Sequence, residues 1–186
     1  LEALSGDLGV DCTFVSVVDE RSLERARTVA VVQGGERRPN FTYDLAGTPC
    51  FDIVAGASCF HPRGVAALFP RDELLAAMGA EAYWGAPLRS ARGDAIGLVA
   101  LVHTAPMEET PALRQVLQLY AGRIGAHLER TVSQSVNERL GRIVEESASE
   151  VYIFDVASYR FILVNKGARD NLGYSLDELR LKTPWD

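Results

Sequence analysis

The sequence lacks the features that mark several protein classes. No apolar run approaches the ~20 residues that a membrane-spanning helix needs, and no signal-peptide pattern is present. There is no dense cluster of lysine and arginine, and the formal net charge is −6, so a nucleic-acid partner is disfavoured on electrostatic grounds. These absences lead us to expect a cytoplasmic protein that binds neither a membrane nor nucleic acid.

Cysteines and recognisable catalytic motifs are also scarce. The chain has three cysteines, at Cys12, Cys50 and Cys59. Because their number is odd and their spacings match no zinc or redox motif, reduced thiols are the simplest interpretation. The chain has no phosphate-binding Gly-Lys-Ser/Thr loop, no G-x-G-x-x-G motif and no Ser-His-Asp order in a hydrolase-like context. We therefore predict no metal site and no catalytic residue, and the sequence identifies no cofactor.

What the sequence does contain is the composition of a globular protein, with 47% apolar and 24% charged residues in 186 positions. That length accommodates one complete domain and part of another. The chain begins with leucine instead of methionine, so we expect it to be an internal piece of a longer protein. We place a first domain at residues 1–130, a helical linker at 131–149 and a partial domain at 150–186.

Alternating and valine-rich runs predict six strands, at residues 12–18, 26–33, 82–88, 95–103, 151–154 and 161–165. Short helices are expected at the start of the chain, from Pro49 to about Ala55 with Thr48 as cap, and at 72–78. Runs of strands with helices on one face suggest an α+β fold with an antiparallel sheet. The pair of strands after residue 150 is too small to close a core of its own.

A long helix is predicted from Pro111 to about Ser149, a stretch with no other proline and only three glycines. Its apolar residues recur mostly every fourth position, so the apolar stripe drifts around the helix. The stripe comprises Leu113, Leu117, Tyr120, Ile124, Leu128, Val132, Val136, Leu140 and Ile143. Early positions can pack on the first domain, whereas later positions have no predicted cover except a partner helix. We therefore expect a parallel homodimer.

Four blocks stand in order along the first domain, at residues 47–50 (GTPC), 68–70 (LFP), 79–88 (GAEAYWGAPL) and 93–97 (GDAIG). In combination they resemble the GAF family of bacterial sensor proteins. The resemblance implies an antiparallel sheet flanked by helices, with a small-molecule pocket between them. Candidate lining residues are Cys50, Phe51, His61, Tyr83 and Trp84. The small residues Ala86, Gly97 and Ala100 are expected to leave room for a ligand.

The end of the chain carries a second set of blocks, at residues 151–155 (VYIFD), 161–168 (FILVNKGA) and 172–175 (LGYS), followed by Glu178 and Leu179. These resemble the opening third of a PAS domain, which implies a truncated PAS-like α/β segment at 150–186. Asn165 is suited to cap the helix that follows it. Ser175 and Glu178 have the spacing of a capping box.

Three features admit other interpretations. The run Gly34-Gly35-Glu36 is similar to the signature loop of diguanylate cyclases, but without that domain around it we interpret it as a β-turn. Cys59 and His61 suggest a metal ligand pair or a bilin attachment point, although photoreceptor GAF domains use an adjacent Cys-His pair and a metal needs more ligands. His127 lacks the acidic residue that directly follows a phospho-accepting histidine.

The resemblance implies a non-catalytic sensory input module of a bacterial signalling protein. A small molecule or partner would bias the first domain between two packings. The long helix would relay that bias to the PAS-like segment and to an output domain of the diguanylate cyclase or histidine kinase type outside this chain. Two alternatives stay open. One is a structural dimerisation module without a ligand. The other is a GAF-scaffold enzyme such as a methionine sulfoxide reductase, whose cysteine pattern this chain does not match.

Overall fold

The valine-rich runs form antiparallel strands, as their patterning predicts. The computed structural model describes residues 1–18, 24–54 and 56–186, which divide into two units, 1–130 and 131–186. The strands of the first unit are β1 (Cys12–Val18), β2 (Arg25–Gln33), β3 (Glu36–Arg37), β4 (Thr42–Asp44), β5 (Cys59–His61), β6 (Ala82–Arg89) and β7 (Ala95–His103). They form one sheet in the order β3-β2-β1-β7-β6-β5, with β4 also paired to β2.

Helices of the first unit are short, apart from the last one. They are α1 (Glu2–Leu8), α2 (Cys50–Val54), α3 (Val65–Leu68), α4 (Glu73–Ala77) and α5 (Pro111–Glu145), which continues into the second unit. The α4 helix begins where Asp72 accepts hydrogen bonds from the amides of Leu74 and Leu75, both at 3.1 Å. The α2 helix begins one residue later than predicted, and its expected end at Ala55 lies outside the described residues.

Helices cover both faces of the sheet, not the single face that we expected. On one face Ile53, Val65 and Leu75 bring α2, α3 and α4 into a buried cluster. On the opposite face Leu4 of α1 and Leu117 of α5 belong to a second buried cluster. The reason lies in the strands: Leu98–Val102 of β7 is a continuous apolar run, which is typical of a strand buried on both sides.

The α5 helix fills the room that small strand residues were expected to leave for a ligand. Ala86 belongs to the buried cluster on the α5 face. A Cβ atom on Gly97 would lie 2.5 Å from the carbonyl oxygen of Ser16 and 3.2 Å from the side chain of Leu128 on α5. A Cβ atom on Gly125 of α5 would lie 2.8 Å from the carbonyl oxygen of Arg89. Of the three small residues that we singled out, Ala100 alone belongs to the cluster on the other face.

The second unit contains the end of α5, a two-stranded antiparallel sheet and two short helices. These elements are β8 (Tyr152–Phe154), β9 (Phe161–Val164), α6 (Lys166–Leu172) and α7 (Leu176–Leu179). Their small core consists of Val164, Ala168 and Leu179. The predicted capping box is confirmed at the start of α7. Among the residues described, no helix combines the length and apolar character needed to span a bilayer.

Candidate functional site

A cavity of about 360 Å³ opens between the sheet and α4 in the first unit. This volume lies within the range of about 300–1,000 Å³ that is typical of small-molecule sites. Most of the lining side chains are apolar: Phe14, Val31, Pro39, Phe41, Leu74, Leu75, Ala77 and Met78. The cavity lies on the face of the sheet opposite to α5.

Strand register explains which residues reach the cavity. One cross-strand row on this face runs through Gln33, Cys12, Val102, Tyr83 and His61. Alternate residues of a strand point to opposite faces, so the neighbours of these residues in sequence face α1 and α5 instead. Gln33, Cys12 and Tyr83 line the cavity, whereas His61 ends the row beyond Tyr83, on the edge strand β5.

Three aromatic rings form one wall of the cavity. The ring centroids of Phe14 on β1 and Tyr43 on β4 are 6.1 Å apart in an edge-to-face arrangement. Phe41, which precedes β4, lies 6.1 Å from Phe14 and 5.8 Å from Tyr43. These separations are those of favourable aromatic pairs, so the three rings hold one another in place.

Buried hydroxyl and thiol groups form a chain at the base of the cavity. The Tyr43 hydroxyl donates a hydrogen bond to the Ser16 hydroxyl at 3.0 Å and lies 3.6 Å from the Cys50 sulfur. The Cys50 sulfur lies 3.0 Å from the Tyr83 hydroxyl, and either group can be the donor. Cys50 thus has two hydroxyl partners, whereas the partner described for the Tyr83 hydroxyl is a sulfur atom, which is a weak acceptor.

A close approach of α2 to the sheet puts Cys50 beside Tyr83. A Cβ atom on Gly85 would lie 2.1 Å from the side chain of Ile53, so only glycine lets α2 pack at this distance. Cys50 is the first residue of α2, and both it and Tyr83 are almost completely buried. The family block around Tyr83 therefore contributes a space for the helix as well as a lining side chain.

The thiol and tyrosine hydroxyl groups that line the cavity are uncharged at neutral pH. Burial raises the pKa of the Cys12 and Cys50 thiols to about 11 in each case. Burial also raises the pKa of the Tyr43 and Tyr83 hydroxyls above that of an exposed tyrosine. All four groups consequently keep their protons at pH 7, and the cavity offers neutral hydrogen-bonding groups instead of a thiolate or phenolate.

Charged groups occur only at the margin of the cavity among its lining residues. Arg38 is exposed and pairs with Glu36 at 3.3 Å. Asp72 is half-buried, and one of its carboxylate oxygens caps α4. Burial raises the pKa of Asp72, and the two amide hydrogen bonds from the helix oppose that shift.

Of the five predicted lining residues, Cys50 and Tyr83 line the cavity and the other three do not. Phe51 is 57% exposed, because it lies one residue beyond Cys50 on the outer side of α2. Trp84 is buried on the opposite face of the sheet, in the cluster that contains Leu117 of α5. The alternation of β6 accounts for this difference between Tyr83 and Trp84.

His61 packs behind the cavity. Its ring centroid lies 5.3 Å from that of Phe69 and 6.4 Å from that of Tyr83. Burial lowers the pKa of His61, while the charge of Asp52 opposes the shift. His61 thus packs beside the ring of Tyr83 without being a lining residue itself.

The other candidate residues lie apart from the cavity lining. The Cys59 thiol donates to the carbonyl of Pro49 at 3.6 Å and is absent from the cavity lining. Within residues 1–18, 24–54 and 56–186, no group of three or more metal-ligating side chains occurs. Gly34 and Gly35 have positive φ angles of 59° and 79° between β2 and β3, which confirms the predicted turn.

Sequence reasoning missed Ser16, Tyr43 and Asp72 as parts of the site. Tyr43 and Ser16 are 27 residues apart in sequence, and the strand that carries Tyr43 has three residues. Asp72 was expected only as part of a helix. The one signal for it is its place before an apolar helix, which predicts a cap but no cavity.

The apolar stripe of α5 changes character along the helix. Leu117 is buried, and four other early positions are half-buried against the sheet: Leu113, Tyr120, Ile124 and Leu128. The four later positions are each at least 50% exposed: Val132, Val136, Leu140 and Ile143. The helix ends at Glu145, short of the expected Ser149.

Asn165 connects the end of α5 to the start of α6. Its side-chain amide donates to the carbonyls of Val144 at 3.0 Å, Ser147 at 3.2 Å and Ser149 at 2.8 Å. Its side-chain oxygen accepts from the amides of Val151 and Ala168. The predicted capping role is confirmed, and the same fully buried side chain also satisfies carbonyls at the end of α5.

Several solved structures share the fold of this chain. A domain from a Sinorhizobium meliloti 1021 protein described as a two-component sensor histidine kinase matches with a TM-score of 0.52 and 16% identity, over 74% of this chain and 92% of that one. The phycocyanobilin-bound GAF domain of a cyanobacterial phytochrome matches with a TM-score of 0.52 and 15% identity, over 74% of this chain and 82% of that one. A GAF domain from Synechocystis sp. PCC6803 in its photoproduct state matches with a TM-score of 0.56 and 12% identity, over 72% of this chain and 91% of that one.

The family is shown by the sequence itself. No curated protein matches the chain, but residues 1–128 match the model of the GAF domain. GAF domains are sensory and regulatory modules and are generally non-catalytic. With a family match over most of its length and the corresponding sheet and helices, this chain belongs to the GAF family.

Proposed function

We propose that this chain is the input module of a bacterial signal-transduction protein and that a small molecule in the cavity beside Tyr83 is its signal. The observation that carries the proposal is a largely apolar cavity with a few convergent polar groups at its base. Such an arrangement is the usual form of a small-molecule site. The chain itself performs no catalysis in this proposal.

The route from the cavity to α5 passes through β1. The Ser16 side chain bonds to Tyr43 on the cavity face, and the Ser16 carbonyl lies against Gly97. Leu128 of α5 packs on Gly97 from the opposite face. A ligand that moves Tyr43 would therefore move a strand on which α5 rests, because close-packed interiors transmit displacement.

Beyond the first unit, we propose that α5 relays the change to a PAS-like segment at 150–186 and then to an output domain outside this chain. The Asn165 contacts support this role, because they join the last turn of α5 to the start of α6 within the second unit. A histidine kinase or a diguanylate cyclase is the proposed output. The similarity of the fold to a domain from a sensor histidine kinase agrees with that choice.

We also propose that the chain forms a parallel homodimer through the later part of α5. Its support is the row of exposed aliphatic side chains at Val132, Val136, Leu140 and Ile143. Each aliphatic side chain that is removed from water stabilises an assembly by roughly 1.5–3 kcal/mol. The same row favours the alternative function, a structural dimerisation module whose cavity has no natural ligand.

A GAF-scaffold enzyme with a catalytic cysteine is less well supported. Such an enzyme needs a thiolate, which electropositive surroundings stabilise. Here burial raises the pKa of both cavity thiols, Cys12 and Cys50, to about 11. The contacts described for the Cys50 thiol are with the tyrosine hydroxyls of Tyr43 and Tyr83, not with a lysine, arginine or histidine.

The experiment that tests the sensory proposal is a thermal-shift screen of the full chain against a library of cellular metabolites. A ligand that binds only the folded state raises the melting temperature. A variant with a filled cavity, Met78→Trp, is screened in parallel. Leu119→Trp is its matched control, because Leu119 is 64% exposed on α5, away from the cavity.

We expect at least one metabolite to stabilise the wild type and the Leu119→Trp variant but not the Met78→Trp variant. If no metabolite stabilises the wild type, the cavity is not a ligand site and the structural dimerisation module becomes the better account. If Met78→Trp responds like the wild type, the ligand binds elsewhere.

A further inference from the structure

The charges around the cavity bear on the net charge of its ligand. Its lining residues include one cation and one anion, Arg38 and Asp72. Arg38 is already paired with Glu36, and Asp72 accepts two amide hydrogen bonds from α4. A charged ligand in the interior would lose water without gaining a free counter-charge, which is strongly unfavourable. The interior is therefore suited to a neutral molecule.

The walls of the cavity indicate a flat and mainly apolar ligand. The rings of Phe14, Phe41 and Tyr43 form one side, and the aliphatic side chains of Val31 and Leu75 also line the space. Aromatic side chains favour edge-to-face and offset contacts with another ring. A cavity of about 150 Å³ already holds benzene, so about 360 Å³ accommodates one or two rings with a substituent.

The polar pair at the base indicates what that substituent is. The side-chain partner described for the Tyr83 hydroxyl is the Cys50 sulfur at 3.0 Å, and a thiol sulfur is a weak hydrogen-bond acceptor. Tyr83 lines the cavity and is almost completely buried, so its hydroxyl gains more from a stronger acceptor than an exposed hydroxyl would. An oxygen atom on the ligand would be such an acceptor.

We infer that the cavity selects a small neutral aromatic molecule with one hydrogen-bond-accepting oxygen, such as an aromatic ketone. This inference rests on the proposed sensory function and names the chemical class of its ligand. It excludes nucleotides and other phosphate-bearing compounds, because the lining residues include a single, already paired cation.

Three probes of similar size separate the features of the inferred ligand. Acetophenone is neutral and has an acceptor oxygen, ethylbenzene is neutral without one, and benzoate is charged. Their dissociation constants for the full chain are measured by ligand-observed NMR. We expect acetophenone to bind about 3- to 10-fold more tightly than ethylbenzene, since a net hydrogen bond contributes a modest free energy. We expect benzoate to bind more weakly than both.

The variant Tyr83→Phe tests the assigned donor. It keeps the ring and removes the hydroxyl, which leaves the thiol of Cys50, a weak donor. The preference for acetophenone over ethylbenzene should then fall to less than about 2-fold. Tyr120→Phe is the matched control, because it removes a tyrosine hydroxyl that bonds to Asp7 on the α5 face. That control should keep the wild-type preference.

The inference is overturned if benzoate binds most tightly, if ethylbenzene equals acetophenone, or if Tyr120→Phe changes the preference as much as Tyr83→Phe. It is also overturned if none of the three probes binds. The sensory proposal is judged separately: a metabolite of another chemical class that stabilises the wild type but not Met78→Trp would support that proposal while refuting this inference.

Discussion

The side-chain amide of Asn165 donates to the carbonyl of Val144 across 3.0 Å, and this contact ties the last turn of α5 to the start of α6. The carbonyls at the end of a helix have no partner within it, so they need groups from elsewhere. Arg169 strengthens the connection, because its guanidinium pairs with Glu145 and donates to the carbonyl of Val164. The helix end is thus held by the residue that caps α6 and by one residue within α6.

We predict that Asn165→Ala loosens this connection. The substitution removes the partners of three carbonyls and two amides, of which the Ala168 amide is buried, and a buried polar group without a partner costs roughly 1–3 kcal/mol. Amide hydrogen exchange in residues 144–151 should become at least about tenfold faster. Asn171→Ala on α6 is the control, because Asn171 is exposed. Equal exchange in both variants would show that Asn165 does not hold the helix end.

Replacing either of two glycines on α5 with alanine should change the stability of the chain, in opposite directions at the two positions. Nothing lies within 4 Å of a Cβ atom on Gly122, whereas one on Gly125 would lie 2.8 Å from the backbone of Arg89. Gly122→Ala should stabilise the chain by about 0.5–1 kcal/mol through helix propensity. Gly125→Ala should destabilise it by about 1–3 kcal/mol through overpacking.

Urea denaturation of both variants measures this difference, and each serves as the control for the other. Similar stabilities would mean that α5 does not pack closely against the end of β6. A destabilised Gly122→Ala variant would instead place the packed face of the helix on its other side.

Asp11 gives the first unit a dependence on acid pH. Its carboxylate accepts hydrogen bonds from the backbone amide and the hydroxyl of Thr104, both at 2.7 Å, and contacts the His103 ring. The Thr104 bonds lower the pKa of Asp11, and the proximity of His103 adds to the shift. A lowered pKa in the folded state means that the stabilisation is present above pH ~4, the unfolded value, and is lost as the pH falls through the folded value.

Asp11→Asn should therefore lose less stability than the wild type as the pH falls below about 4. Melting temperatures at several pH values measure the slope, with Asp94→Asn in the exposed turn after β6 as the control. An unchanged slope in Asp11→Asn would assign the acid sensitivity to other carboxylates.

The double substitution Val136→Asp and Leu140→Asp should convert the proposed dimer to a folded monomer. Both positions are at least 50% exposed on α5, and two charges in an apolar seam are strongly unfavourable. Sedimentation velocity measures the mass, with Ser133→Asp and Asn137→Asp as the control at other exposed positions of the same helix. A wild type that is monomeric at high micromolar concentration, or a double variant that stays dimeric, would refute this interface.

Patterning was sufficient to predict the central strands and the long helix. The strands β1 and β7 have the predicted bounds, because β1 is rich in β-branched and aromatic residues and β7 is rich in aliphatic ones. The strands β3, β4 and β5 were not predicted. They have two or three residues each, and their pairing with longer neighbours defines them, not their own composition.

The site was predicted only in part for a related reason. The GAF sequence blocks identified Cys50 and Tyr83 as candidate lining residues. The contact of 3.0 Å between them, however, depends on how closely Ile53 approaches Gly85. Single-residue alternation then separates the cavity residue Tyr83 from Trp84 on the opposite face. Such details follow from tertiary packing, which local patterns do not encode.

The central claim is that occupancy of the cavity alters α5. Hydrogen exchange along α5 measures this most directly, with and without the metabolite that gives the largest thermal shift. We expect the exchange rates of residues 117–130 to change in the wild type and to stay constant in Met78→Trp, although these residues lie on the opposite face of the sheet. Binding that alters exchange only in α4 and around Tyr43, with α5 unaffected, would contradict the claim.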